Sequence, residues 1–473
     1  MRHLRPPAAH PPTPRLAKAR WMMMSLFALN GLTMSSWLAR LPAVCKALGM
    51  TPSGLGVVLL AGAMGALMMV TAAGVIVTRC GGRLALNVSA IGFTAAFVLL
   101  GLGPTLGSVG LLTVGVFITG VSFALAGVPM NVESAAVERR MGRTVLPQFH
   151  AAFSIGAVAG SAVGALAAHL GVSLLSQFMV TAAVGAAWRL VAIPHVILDS
   201  LPARELAAPA VVVAGGRAGI RSALHGWREP RTLLIGVVIM AAALSEGAAN
   251  DWLALAVVDD FGEPESVGAI VYGMFVASMT VVRLLGTRLI DRYGRVTVLL
   301  TSGLASLAGL VLFGFAPTLP LAGVGVVAWG LGAALAVPIG IAAASDDRLR
   351  AAGRVAVVSA FSSTASLAAP PLLGLAAEAL GARHALVLIA VAMVVSVSLS
   401  RHVVPVRVQA GPASLPRPAS PSVGVPSPWA RGGSAARVVA ERAVPESCRP
   451  EPSSLSERAG SSASERNITA GAR

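Results

Sequence analysis

Long apolar runs alternate with short polar segments along most of this chain. Apolar runs of 18 or more residues recur from Trp21 to His402, and a run of that length crosses a bilayer as one α-helix. The pattern therefore predicts an all-α membrane protein with twelve transmembrane helices. The predicted spans are 21–39, 54–77, 84–103, 110–130, 149–170 and 174–198, then 232–257, 267–290, 296–316, 321–344, 355–380 and 384–404.

The second six spans repeat the first six. Two short stretches carry the repeat. Glu246-Gly247 corresponds to Asn30-Gly31, 216 residues earlier, and Trp252-Leu253-Ala254 corresponds to Trp37-Leu38-Ala39. Each half holds an even number of spans, so the two copies share one orientation and form two parallel six-helix halves. Membrane proteins built from such repeats bind their solute where the halves meet.

Composition supports a membrane protein. Hydrophobic residues make up 55% of the chain and charged residues 12%, whereas soluble domains carry about 25% charged residues. The net charge of +16 does not indicate nucleic acid, because the arginines concentrate in loops after even-numbered spans. That distribution predicts that both termini are cytoplasmic.

The chain divides into five segments. We predict a cytoplasmic N-terminal tail at 1–20, six-helix halves at 21–198 and 231–404, a cytoplasmic linker at 199–230, and a disordered basic tail at 405–473. The tail is rich in Pro, Ser, Gly and Arg and has too few apolar residues to order itself. No cleaved signal peptide is expected, because no short apolar core with a cleavage site follows the N-terminus.

Two loops carry a recognisable motif. Residues 74–83 read GVIVTRCGGR, and residues 291–295 read DRYGR. With the 6+6 repeat, they resemble the loop signature of the major facilitator superfamily, although Thr78 replaces its aspartate. The resemblance implies a conformational latch at the cytoplasmic surface. Its members would be Arg79, Arg83, Asp291, Arg292 and Arg295.

Further phrases resemble the YbjJ-type branch of that superfamily, bacterial inner-membrane carriers related to fucose permease. They include Asn30-Gly31 with Trp37, Met130-Asn131-Val132-Glu133, Phe149-His150-Ala151, and Glu246-Gly247 with Asp251-Trp252. This resemblance implies a transporter in the bacterial inner membrane.

Glu246 is the leading candidate for proton coupling, because a carboxylate inside a membrane span is functional by default. The alternative is a carboxylate held by a fixed partner. Asp251 is a second candidate, unless it reaches water at the outer surface. Asn30, the repeat counterpart of Glu246, and Asn250, one turn beyond Glu246, are candidates for solute binding. The alternative for Asn30 is an interhelical hydrogen bond.

Four further residues have two possible roles each. Trp37 and Trp252 could stack on a sugar ring or could anchor the helices at the outer membrane interface. Glu133 and His150 could form a proton relay near the cytoplasmic surface or a structural bond. The stripe of Gly156, Gly160 and Gly164 predicts close helix packing.

Together these observations predict a secondary active transporter that moves a small polar solute, such as a sugar, by alternating access, with proton coupling. A proton-coupled exporter of drugs or metabolites and a transport-fold sensor remain alternatives. No phosphate loop, metal-ligand spacing or nucleophile triad is present, so no cofactor, metal or enzymatic activity is expected. The expected partners are the solute, the proton and the lipid bilayer, and the expected state is a monomer.

Overall fold

The computed structural model describes residues 13–142, 145–197, 226–346 and 350–403. The predicted C-terminal tail, most of the linker and most of the N-terminal tail lie outside these ranges. Within them every regular element is helical, which confirms the all-α fold.

The described part of the N-terminal half contains seven helices. They are α1 (Pro14–Leu38), α2 (Leu41–Leu48), α3 (Pro52–Cys80), α4 (Gly82–Thr105), α5 (Val109–Met141), α6 (Leu146–His169) and α7 (Leu174–Val196). The C-terminal half contains α8 (Pro230–Phe261), α9 (Glu265–Tyr293), α10 (Arg295–Phe315), α11 (Leu319–Ala333), α12 (Ala336–Ala344), α13 (Ala351–Leu380), α14 (Ala382–Val387), α15 (Ile389–Leu399) and a 3₁₀ turn (Ser400–Val403).

A helix lies at each of the twelve predicted spans. Among the described residues, eleven are long and apolar enough to cross a membrane, counting α11 with α12 and α14 with α15. The twelfth is α1, whose 25 residues suffice in length but include Asn30 and several hydroxyl residues. The short helix α2 and the breaks in spans ten and twelve were not predicted.

Glycines at two helix ends show that the signature loops share one geometry. Gly81 and Gly294 have φ angles of 85° and 79° and ψ angles of 153° and 158°. This region is open to glycine and strained for other residues. Each glycine separates two consecutive helices, so the repeat extends from sequence to backbone conformation.

The predicted glycine stripe packs α6 against α1. A side-chain carbon at Gly156 would overlap the carbonyl oxygen of Ala28, and one at Gly160 would overlap that of Leu32. Only residues without a side chain allow two helix backbones to approach so closely. The packing prediction is confirmed.

The two halves meet along equivalent helix pairs, with α6 against α9 and α3 against α13. We call the end of the bundle where α1 ends and α3 begins the Arg40 end, and the end where α3 ends and α4 begins the Arg83 end. Several contacts between the halves lie toward the Arg40 end. They include Ser35 with Tyr272, Arg40 with Glu265, and Gly56 with Pro370. The halves are thus closed together at the Arg40 end.

Candidate functional site

Glu246 of α8 is paired with an arginine on the neighbouring helix. Nη2 of Arg283, in α9, donates to both carboxylate oxygens at 2.9 Å. The Glu246 and Arg283 side chains are 24% and 30% exposed, so the pair is accessible rather than sealed in the core. Glu246 is therefore held by a partner, which was the alternative to proton coupling considered from the sequence. The side chain of that partner, Arg283, is itself partly exposed.

A break in span ten helps to orient Arg283. Pro338 has no N–H, so it cannot donate to the carbonyl of Ala334 four residues earlier. Helix α11 ends at Ala333 and α12 begins at Ala336. Nε of Arg283 donates to the free Ala334 carbonyl at 3.4 Å. The sequence of span ten thus supplies an acceptor that positions the partner of Glu246.

The N-terminal half has its own arginine, bound to the repeat counterpart of Glu246. Nη2 of Arg189, in α7, donates to Oδ1 of Asn30 at 3.1 Å, and Nδ2 of Asn30 donates to the Met130 sulfur at 3.3 Å. The Arg189 guanidinium carbon lies 4.4 Å from the ring centre of Phe93, within cation–π range. Asn30 and Arg189 are both buried, so Asn30 forms the interhelical bond that was its alternative role.

Asn250 takes part in a bridge between the halves. The Tyr272 hydroxyl donates to Oδ1 of Asn250 at 3.4 Å and shares a hydrogen bond with Ser35 of the other half at 3.2 Å. Tyr272 and Ser35 are buried, and Asn250 and Asp251 are half-buried. Asn250 therefore lies beneath the closed Arg40 end, one helical turn from Glu246.

The two tryptophans are core residues in this conformation. Trp37 is 3% exposed and Trp252 is 1% exposed. The Trp37 ring packs edge-on against Phe178 of α7 at 5.9 Å. Neither ring presents a face to a solute or to the membrane interface in this conformation, because neighbouring helices cover the segments of α1 and α8 that carry them.

Glu133 and His150 differ in environment. Glu133 is buried in α5, whereas His150 is exposed near the start of α6. The imidazole packs edge-on against Phe27 at 5.6 Å. The described contact of His150 is thus with α1 of its own half.

In the C-terminal half, charged residues join the helix ends at the Arg83 end. Arg295, at the start of α10, donates to Asp346 at 2.8 Å, and Arg231 donates to the other Asp346 oxygen at 3.0 Å. Glu229 accepts from Arg354 at 2.6 Å and Arg350 at 3.1 Å. The hydrogen bond from Arg354 is the main reason that the pKa of Glu229 falls to about 2.

The N-terminal half has a weaker arrangement at the same end. Arg83 donates to the Pro194 carbonyl at 3.3 Å, and the Thr78 hydroxyl bonds within its own helix to Gly74 at 3.0 Å. Arg79, Asp291 and Arg292 are exposed. Of the predicted latch residues, Arg295 thus pairs with the carboxylate of Asp346, and Arg83 donates a hydrogen bond to the Pro194 carbonyl.

Sequence reasoning missed Arg189 and Arg283, although a signal was available. Both lie inside predicted spans, 174–198 and 267–290, and an arginine at membrane depth marks a functional or tightly partnered site as clearly as a carboxylate does. The proline in span ten was a second signal, because a helix break at membrane depth needs a polar partner or a wet cavity.

Comparison with known proteins places this arrangement in a family. The sequence profile of the Major Facilitator Superfamily matches residues 23–353 and 235–444. The uncharacterised transporter y4wD of Sinorhizobium fredii is 32% identical over 75% of this chain and 89% of its own length. Among solved structures, the nucleoside transporter NupG has a TM-score of 0.64 at 15% identity and covers 81% of this chain and 98% of its own.

The transporter FucP, solved in the outward conformation, has a TM-score of 0.57 at 16% identity and covers 81% of this chain and 98% of its own. At these identities the two solved structures show a shared fold. The profile match and the relative above 30% identity extend that likeness to sequence, and they agree with the repeated halves described above. The chain is a multi-pass membrane protein of the Major Facilitator Superfamily, a family of transporters.

Proposed function

We propose that this protein is a secondary carrier that moves a small polar solute by alternating access and couples the movement to protons through Glu246. The observation that carries the proposal is the Glu246–Arg283 pair, held by 2.9 Å hydrogen bonds and partly exposed between membrane-spanning helices. Burying two charges offsets much of what their attraction returns, and an ionisable residue within membrane-spanning helices is a functional candidate by default.

In the proposed mechanism, protonation of Glu246 frees Arg283 to bind a solute. When a proton binds a Glu246 oxygen, the carboxylate loses its charge and its hold on Arg283. The Nη2 protons of Arg283 then become available to oxygen atoms of a solute, while Nε keeps its bond to Ala334. His150 and Asn250 supply further polar groups, one on each half.

The basic loops at the Arg83 end support an orientation with that end and both termini in the cytoplasm of a bacterium. In this orientation the closed Arg40 end faces outward across the inner membrane. The energy source in this proposal is the proton gradient.

Two structural neighbours guide the choice of solutes. NupG is a nucleoside transporter, and FucP is a fucose:proton symporter. Both solutes are small and rich in hydroxyl groups. A panel of monosaccharides, sugar acids and nucleosides therefore covers the polar solutes that Arg283, His150 and Asn250 could bind.

The test uses proteoliposomes loaded with a pH-sensitive dye. We expect at least one compound of the panel to drive proton movement with the wild-type protein. Glu246→Gln should abolish proton movement and gradient-driven accumulation, while exchange of labelled solute against unlabelled solute continues. The control is Glu378→Gln, which changes an exposed glutamate of α13 and should behave as wild type.

Two results would contradict the proposal. Solute uptake without proton movement in the wild-type protein would reject proton coupling. Proton movement in Glu246→Gln at the wild-type rate would remove Glu246 from the coupling step.

A further inference from the structure

An ion pair joins the two halves at the Arg40 end. Nε of Arg40, which directly precedes α2, lies 2.6 Å from Oε1 of Glu265, the first residue of α9. Arg40 is 4% exposed, and the Glu265 side chain is 23% exposed. The charges therefore meet in a nearly closed environment, where an unpaired charge is costly.

Arg40 is held in place by its own half. Nη1 donates to Oε1 of Gln177 at 3.0 Å, and Nη2 donates to the Val172 carbonyl at 3.1 Å. Nε2 of Gln177 in turn donates to the Ser36 carbonyl at 3.3 Å. These bonds occupy the outer nitrogens of the guanidinium and direct Nε toward the opposite half.

A second contact between the halves lies on the same helices. Ser35 and Tyr272 share a hydrogen bond at 3.2 Å, with Ser35 on α1 before Arg40 and Tyr272 two turns along α9 from Glu265. Asn250 accepts from the same tyrosine at 3.4 Å. The ion pair and the hydroxyl bridge thus form two layers above the Glu246 region.

We propose that Arg40 and Glu265 form the gate that closes the Arg40 end, and that this pair must separate for the cavity to open there. The inference rests on the alternating-access cycle of the proposed function. Opening hydrates both charges, whereas closing removes them from water and restores their contact. A neutral residue at position 265 leaves Arg40 buried without its carboxylate, so it disfavours the closed state specifically.

The chain carries its own reporter of this gate in Cys45. Cys45 lies in α2 and is 8% exposed. Helix α2 packs against α8 of the opposite half. Burial, with a contribution from Asp259 of α8, raises the pKa of Cys45 to about 12. The reactive thiolate is therefore scarce in the closed state. Opening would separate α2 from α8 and expose the thiol.

The experiment measures the rate at which Cys45 reacts with a maleimide in protein reconstituted into nanodiscs. Cys80→Ser and Cys448→Ser remove the other two cysteines from every variant. No solute or gradient is added, so the rate reports opening even if the assigned coupling or solute class is wrong. Transport assays on the same variants separate the two proposals.

We expect slow labelling of the parent and labelling at least about tenfold faster in Glu265→Gln, because loss of one partner of a buried pair shifts the ratio of open to closed states. Glu265→Asp, which keeps the charge, should label more slowly than Glu265→Gln. Tyr272→Phe removes the second layer and should accelerate labelling to a smaller extent. It also tests the gate if Glu265→Gln does not purify as a folded protein.

Glu263→Gln is the matched control, because Glu263 lies two residues before Glu265 and no described residue forms an ion pair with it. The control should label at the parent rate. Equal rates in Glu265→Gln and the parent, or equal acceleration in Glu263→Gln and Glu265→Gln, would overturn the gate. The first result would mean that the pair does not hold the closed state. The second would mean that loss of any negative charge near the start of α9 has the same effect.

Discussion

At the scale of single residues, the two halves contain equivalent pairs that differ in their chemistry. Each half places an arginine against the polar residue of its first span, but Arg283 meets the carboxylate of Glu246 and Arg189 meets the amide of Asn30. The C-terminal pair contains a group that can bind and release a proton. The N-terminal pair has an amide in its place and shields its charge with the Phe93 ring. In the proposed function, the C-terminal pair therefore carries the coupling, and the N-terminal pair supports the structure.

The role of Asn30 leads to a stability prediction. Asn30→Ala should lower the melting temperature of the purified protein, because Arg189 loses its oxygen acceptor while it stays buried. The expected cost is about 1–3 kcal/mol, as for a buried polar group left without its partner. Asn30→Asp should retain most of the stability.

A matched control for this measurement is Asn131→Ala. Asn131 is exposed and bonds to the Gly127 carbonyl of its own helix at 2.8 Å, so its loss should change the melting temperature little. An equal decrease in both alanine variants would mean that the Asn30–Arg189 bond has no special role.

At the scale of helices, glycine contacts and ion pairs join the helices within each half. Gly156 and Gly160 bring α6 against the backbone of α1, so these two helices are in close contact over more than one turn. In the C-terminal half, Glu229 and Asp346 join the starts of α8, α10 and α13 to the end of span ten. Each half is therefore tied internally at positions away from the gate.

The α1–α6 contact predicts a sharp difference between two glycines. Gly156→Ala should strongly reduce the yield and thermal stability of the protein, because the new carbon would overlap the Ala28 carbonyl and force the helices apart. Gly127→Ala, at a helical position with open space around it, should be neutral or stabilising by up to about 1 kcal/mol. Size-exclusion profiles and melting curves of both variants would test this, and similar behaviour would argue against the tight contact.

At the scale of the whole molecule, the contacts between the two halves concentrate at one end of the bundle. The Arg40 end is closed by the Arg40–Glu265 pair, by Ser35 with Tyr272, and by close backbone contacts of α3 with α13. Each contact joins one half to the other. A rocking motion of the halves would break them together and would leave the bonds inside each half intact.

The backbone contact provides a test of closure that is independent of charge. A side-chain carbon at Gly374 of α13 would lie 2.7 Å from the Pro52 carbonyl oxygen of α3. Gly374→Val should therefore hold the Arg40 end open and accelerate Cys45 labelling in the same nanodisc assay. Gly127→Val adds the same bulk far from this interface and should leave the rate unchanged. Slow labelling of Gly374→Val would show that closure tolerates the added bulk.

The sequence by itself determined the number of spans, their repeat and the family, because apolar run length and a repeat of 216 residues are local and periodic properties of a chain. It also singled out Glu246 and Asn30, since polar residues are conspicuous in apolar spans. Only the tertiary structure decided their partners. Arg283 lies 37 residues from Glu246 and Arg189 lies 159 from Asn30, and helix packing rather than spacing brings each pair together. The same packing buries Trp37 and Trp252 and aligns Arg40 with Glu265, because burial depends on which neighbouring helix covers a given face.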